Sequence, residues 1–153
     1  MKNILLSITI AGFLFAADKP APTKWTNAEL NGVGKTIAGK LAGKHVGGQS
    51  LAEYGNHRTS MSYRDADGEG ELHVNVADLF VVQSGEATVV VGGEVVDPKT
   101  TAPGEVRGLS VKGGEKKMLK AGDILYIPKN TPHQSLVAKG KTFTYFVMKV
   151  DAN

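Results

Sequence analysis

From about Leu51 to Val150 the chain alternates apolar and polar residues with a period of two, in short runs broken by Gly, Asp, Asn and Pro. That pattern predicts strands at Thr59–Tyr63, Glu71–Asn75, Leu79–Gln83, Ala87–Val91, Glu94–Val96, Val106–Leu109, Lys117–Leu119, Asp123–Ile127, Gln134–Val137 and Thr142–Val150. Many short strands with no helices between them predict an all-β sandwich or barrel. Gly92-Gly93 sits between two valine runs and predicts a tight hairpin, because two glycines supply the positive φ values such a turn needs. Ser84-Gly85-Glu86 reads as a second reversal of the same kind. The stretch Asp97–Gly114 is rich in Pro, Gly, Thr and Lys and predicts a long rim loop holding one short strand at most.

Ahead of the strands the period lengthens. Thr26 can cap a helix that begins at Asn27, with Glu29 in its first turn and Leu30, Val33, Ile37 and Leu41 spaced by three to four residues. Gly32, Gly34 and Gly39 each weaken that helix. Earlier still, Met1-Lys2-Asn3 leads into an apolar run from Ile4 to Phe15, then Ala16-Ala17-Asp18 and the stretch Lys19-Pro20-Ala21-Pro22. This is the layout of a secretory signal, so the expected organisation is a signal peptide at 1–17, a Pro-rich spacer at 18–26 and one domain at 27–153, periplasmic or secreted. The apolar run is shorter than the roughly 20 residues a spanning helix needs, which argues against a permanent membrane span. The bulky Leu14 and Phe15 near the cut leave an uncleaved tether as the alternative.

Composition narrows the chemistry. A chain of 153 residues suits one domain, and its 18 Lys and Arg against 15 Asp and Glu are scattered, so no basic stripe speaks for nucleic acid. The absence of Cys excludes zinc–thiolate sites, Cys nucleophiles and iron–sulfur clusters. Neither Gly47-Gly48 nor Gly113-Gly114 continues into a phosphate loop, and no Ser occupies a nucleophile elbow.

The most informative segment runs Gly122-Asp-Ile-Leu-Tyr-Ile-Pro128-Lys-Asn130-Thr-Pro-His133. Gly122 opens a strand, Pro128 ends it where no ladder donor is required, and Asn130 tolerates a left-handed turn before His133 begins the return strand. This spacing resembles the second motif of the cupin superfamily, with Asn130 in place of the usual Gly and Val137 in place of the usual Asn. A degenerate first motif is similar to His73-Val74-Asn75-Val76-Ala77-Asp78 followed by Gly85, with Asn75 replacing a second His and a gap to Asp78 about one residue short. The resemblance covers roughly residues 57 to 150 and implies an antiparallel jelly-roll barrel, with the short helix packed on one side.

On one strand His73 and Asn75 share a face, and His133 would join them from a facing strand. Alternation from His73 puts Asp78 on the opposite face, so Asp78 contributes only if the shortened turn swings it inward. Two His and a carboxylate, with Asn75 as a weak oxygen, suit a divalent transition metal such as Fe, Mn, Ni or Zn. The alternative is a metal-free barrel whose histidines line a small-ligand or sensory pocket without catalysis. His57, Arg58 and Tyr126 are candidates for ligand contact, although Tyr126, like Tyr63 and Phe80, reads first as core, and Arg58 first as an ordinary surface charge. The cupin resemblance fixes an architecture rather than a reaction, leaving enzyme and binding module open, with a small-molecule ligand and a homodimer as expected partners.

Overall fold

The structure, a computed structural model, describes residues 22–152. The expected signal at 1–17 and the first part of the spacer lie outside the described residues. Among the described residues no helix is long and apolar enough to cross a membrane.

Helix α1 covers Asn27–Gly39 and starts where its cap dictates. Glu29 N donates to Thr26 Oγ1 at 3.2 Å while Thr26 N donates to the Glu29 carboxylate at 2.7 Å, closing a capping box. Leu30 and Ile37 bury one face against Met61, with Trp25 and Phe146 at the edge. Two of the glycines that disfavour or interrupt regular structure permit this packing. A Cβ at Gly34 would stand 2.7 Å from Thr144 Cγ2, and one at Gly47 would stand 2.6 Å from Ile37 Cγ2, so side chains there would push the helix off the sheet.

The strands are β1 (Val46–Glu53), β2 (His57–Arg64), β3 (Gly70–His73), β4 (Val76–Val91), β5 (Glu94–Val96), β6 (Lys99–Ala102), β7 (Glu105–Gly108), β8 (Ser110–Lys112), β9 (Glu115–Lys120), β10 (Ile124–Ile127), β11 (His133–Leu136) and β12 (Phe143–Asp151). They form an antiparallel sheet in the order β1-β2-β12-β4-β11-β3-β7-β6, with β9 and β10 also on β4, while β5 and β8 pair separately. This curled all-β barrel with one short N-terminal helix is the predicted architecture. Its interior holds Phe80, Val82, Val89, Ile127, Phe143 and Tyr145, all almost inaccessible to water.

Several local expectations need correction. The predicted strands Leu79–Gln83 and Ala87–Val91 are the two halves of β4, and Ser84-Gly85-Glu86 is no reversal. Gly85 does take a positive φ of 75°, but it stays paired with Phe143, two residues past a bulge at Gln83 where the β12 register jumps between Thr144 and Tyr145. The extra residue switches the buried set from Asp78, Phe80 and Val82 to Ala87 and Val89, so one strand serves both walls of the barrel. Gly92 and Gly93 both have positive φ, yet β4 continues to β9 and β11 while β5 pairs with β8, so no hairpin forms. A Cβ at Gly93 would lie 2.8 Å from Gly114 N, and this close crossing of two glycine pairs is what lets the strands part. The expected loop Asp97–Gly114 contains β6, β7 and β8. Strand β1 had no clear alternation and forms because β2 pairs with it along its length.

Candidate metal centre

Three strand registers build the centre. On one wall Arg107, Glu71 and His133 lie side by side across β7, β3 and β11, with Glu105 opposite His73 one row further. On the other wall Lys149 of β12 lies opposite Asp78 of β4, which in turn lies opposite Ile127 of β10. Phe143, Tyr145 and Val147 point into the core, so Lys149 keeps the same inward parity at the barrel mouth. His133 is aimed by its turn: Asn130 adopts φ 56°, and its N–H donates to the carbonyl of His73 at 2.7 Å. The two imidazoles consequently face each other with ring centroids 5.3 Å apart.

Both imidazoles are buried and oriented from behind. His73 Nδ1 meets Glu105 Oε2 at 2.7 Å, and His133 Nδ1 meets the Thr131 carbonyl at 3.1 Å. Each partner can only accept, so Nδ1 carries the proton and both Nε2 atoms turn a lone pair inward. Burial pushes the His133 pKa down, against the pull of Glu71, the Thr131 carbonyl and Asp78, which keeps that ring neutral. His133 Nε2 has no hydrogen-bond partner among the described residues; Asp78 Oδ2, at 3.6 Å, is too distant.

The anionic side is held equally tightly. Burial would raise the pKa of Asp78, but contact with His73 and the Lys149 ammonium outweighs it and holds the carboxyl at about 2. Lys149 Nζ donates to both Asp78 oxygens at 2.8 and 3.0 Å, and to His73 Nε2 at 2.8 Å. Glu71 is likewise kept ionised despite burial, by the cations of Arg64, Arg107 and Lys149. Its Oε1 accepts from Arg64 at 2.9 Å, and Arg64, whose pKa is raised, also donates to the Tyr145 hydroxyl at 3.2 Å. Arg107 adds ion pairs at 3.6 Å to Glu71 and 3.2 Å to Glu105. One donor atom each from Glu71, His73 and His133 lies within 4.8 Å of the others, a candidate metal site with Asp78 beside it.

The sequence profile of the JmjC domain matches residues 49–152, more than half of the 153-residue chain. The chain belongs to the JmjC domain family. Its fold is that of the cupin barrels. It is similar to a conserved protein with a double-stranded beta-helix domain from Klebsiella pneumoniae (TM-score 0.54, 17% identity, 73% of this chain and 82% of that one). It is also similar to a Cupin 2 conserved barrel domain protein from Salinispora arenicola (TM-score 0.50, 17% identity, 70% and 76%) and to TT1209 from Thermus thermophilus (TM-score 0.56, 12% identity, 78% and 94%). No curated protein matches at a significant level.

In this JmjC-family barrel the residues expected from sequence fall in two groups. His73, Asp78 and His133 come together. Asn75 does not join them: β3 ends at His73, Asn75 is exposed in the turn, and its carbonyl accepts from Ala152 N at 2.8 Å. The same turn resets the strand count, which is why Asp78 faces inward against simple alternation. His57 stacks on Tyr54 at 4.8 Å and bonds Asn56 at 2.8 Å, away from the centre. Arg58 lies opposite Lys149 on the neighbouring strand, but its guanidinium pairs with Asp151 at 3.4 Å. Tyr126 is 60% exposed on the outer face of β10, because Leu125 and Ile127 take the inner positions. Glu71, Glu105 and Lys149 were missed. Glu71 was within reach: reading Glu71-Leu72-His73 as the motif pair puts Asp78 five positions after His73 and removes the one-residue shortfall that Asn75 created.

Proposed function

We propose that this chain is an exported cupin that holds one divalent transition metal at Glu71, His73 and His133, with Asp78 adjoining, and presents it to a small polar molecule. The observation that carries this reading is the buried His133 Nε2, unpartnered and facing two further donors. A buried acceptor left unpaired costs about 1–3 kcal/mol, which a ligated cation would recover. The donor set fits such an ion: two neutral imidazole nitrogens and carboxylate oxygens suit Fe, Mn, Ni or Zn, and both imidazoles have the outer-shell acceptors that fix ligating histidines. When bound, the ion would supply Lewis acidity at the barrel mouth.

The chain's own residues do the rest. Glu105 and Thr131 hold the imidazoles in register, Arg64 and Arg107 keep Glu71 ionised, and Phe80 and Ile127 wall the centre off from bulk water. A cavity of about 610 Å³ lined by Lys44, Val46, Arg64, Gly68, Glu71 and Arg107 adjoins the centre through Glu71. Its mixture of charges suits a small hydroxylated or carboxylated ligand.

Elemental analysis and zinc titration of the wild type against His73→Ala/His133→Ala test the proposal. Stoichiometric metal in the wild type alone is expected; equal trace metal in both would overturn it. A second reading, a metal-free ligand-binding barrel, is favoured by Lys149, which already places a cation among these donors. Export is supported by the pattern of residues 1–17, and N-terminal sequencing of the mature protein decides it. A homodimer is supported by the cupin resemblance, and solution mass by light scattering decides that.

A further inference from the structure

Lys149 lies on the inward face of β12 directly opposite Asp78, and its ammonium occupies the middle of the donor cluster. A tetrahedral ammonium has three N–H donors, and all three are used: two on the Asp78 oxygens and one on His73 Nε2. None is left for His133 Nε2, which explains why that atom, among the buried side-chain atoms of the described residues, lacks a partner. The space bounded by His73, Asp78, Ile127, Pro128 and His133 does not admit a water molecule. A dication and an ammonium would repel strongly at such separations in a buried site, and the same lone pairs cannot serve both. Lys149 is nevertheless not locked in, since its side chain is 23% exposed at the mouth and its four-carbon stem is flexible.

We infer that Lys149 is a tethered counter-cation that closes the donor set, and that a divalent metal enters only as the Lys149 ammonium swings out to solvent. This rests on the metal reading above and adds its control: the closed and loaded states exclude each other. The ammonium satisfies the buried Asp78 charge while the metal is absent, and its displacement lowers the apparent affinity for metal. The chain is thereby stable without the ion and selective for ions that bind strongly enough to replace three charge-assisted hydrogen bonds.

The test uses zinc chloride as the probe and two readouts. By titration calorimetry on the metal-free protein, Lys149→Met binds zinc about tenfold or more tightly than wild type, from the loss of at least one charge-assisted bond to be broken. Lys149→Arg, which keeps the charge, stays near wild type. Removing the ammonium leaves Asp78 unpaired and can compromise folding, so the second readout needs only wild type. Acylation of lysines, followed by peptide mass spectrometry, should label Lys149 several-fold faster in saturating zinc, with exposed Lys116 unchanged as the control. Equal zinc affinity in wild type and Lys149→Met, or unchanged Lys149 labelling with zinc bound, overturns the gate while leaving the metal site standing. Zinc binding by neither protein overturns both.

Discussion

Replacing Asp78 with Asn keeps the shape of the side chain and removes its charge from a site where it is 2% exposed. Lys149 then loses one of its two bonds to that carboxylate, at 2.8 and 3.0 Å, together with the charge that made both strong. A hydrogen bond to a charged group contributes about 1.5–3 kcal/mol, and partial exposure of Lys149 lets it relax towards water, so the loss should be about 2 kcal/mol. The acidity of Asp78 leads to the same figure. Holding the carboxyl at about 2 rather than its ordinary 3.8 corresponds to on the order of 2 kcal/mol of folding stability. Because the folded-state pKa is depressed, that contribution is fully present above pH 3.8 and is lost as pH falls towards 2. The assay is urea unfolding of the metal-free protein, followed by the fluorescence of Trp25, the sole Trp, which packs 6.0 Å from Phe146. At pH 6 the midpoint of Asp78→Asn should fall by about 1 M urea with unchanged slope, a loss of about 6 °C in Tm. The gap to wild type should narrow below about pH 4. Adding Lys149→Met to Asp78→Asn should recover part of the loss, because removing both partners leaves no buried charge uncompensated. A single variant as stable as wild type at pH 6, or a gap that persists undiminished in acid, would refute the account.

Two substitutions test the scaffold. Gly34→Ala improves helix propensity by about 1 kcal/mol, yet the new Cβ would press on Thr144 Cγ2 at 2.7 Å, so a net loss of about 1 kcal/mol in urea unfolding is expected, and a gain would show that α1 is free to shift. Arg64→Met strips half-buried Glu71 of its 2.9 Å partner and leaves Arg107, at 3.6 Å, and Lys149 to balance its charge, which should cost about 3 kcal/mol. Arg64→Met/Glu71→Leu should restore most of that stability, and failure to do so would place the role of Arg64 in packing rather than charge.

Much of the local structure was legible because it depends on neighbours in the chain. Thr26 and Glu29 form the capping box their spacing suggests, and Asn130 takes the left-handed turn that sets His133 at the start of β11. Positive φ at Gly85, Gly92 and Gly93 was equally readable, but the same signal serves a hairpin, a bulge or a crossing, and only the continuation of β4 past Gly85, from its pairing with β12 onto β9 and β11, rules out the reversal. Asn75 was misplaced because alternation was carried through a turn that ends the strand.

What followed from residue order alone was the class of fold, the capped helix and the pairing of His73 with His133 as candidates, since side-chain period, caps and turn chemistry act over a few residues. What needed three dimensions was the company those histidines keep. Glu71, Glu105, Arg107 and Lys149 reach the centre from strands as far apart in sequence as β3 and β12, and alternation says which side chains share a face without saying which strands become neighbours. Even the face is conditional: one bulged residue in β4 exchanges inward for outward, and that exchange is set by the partner strand.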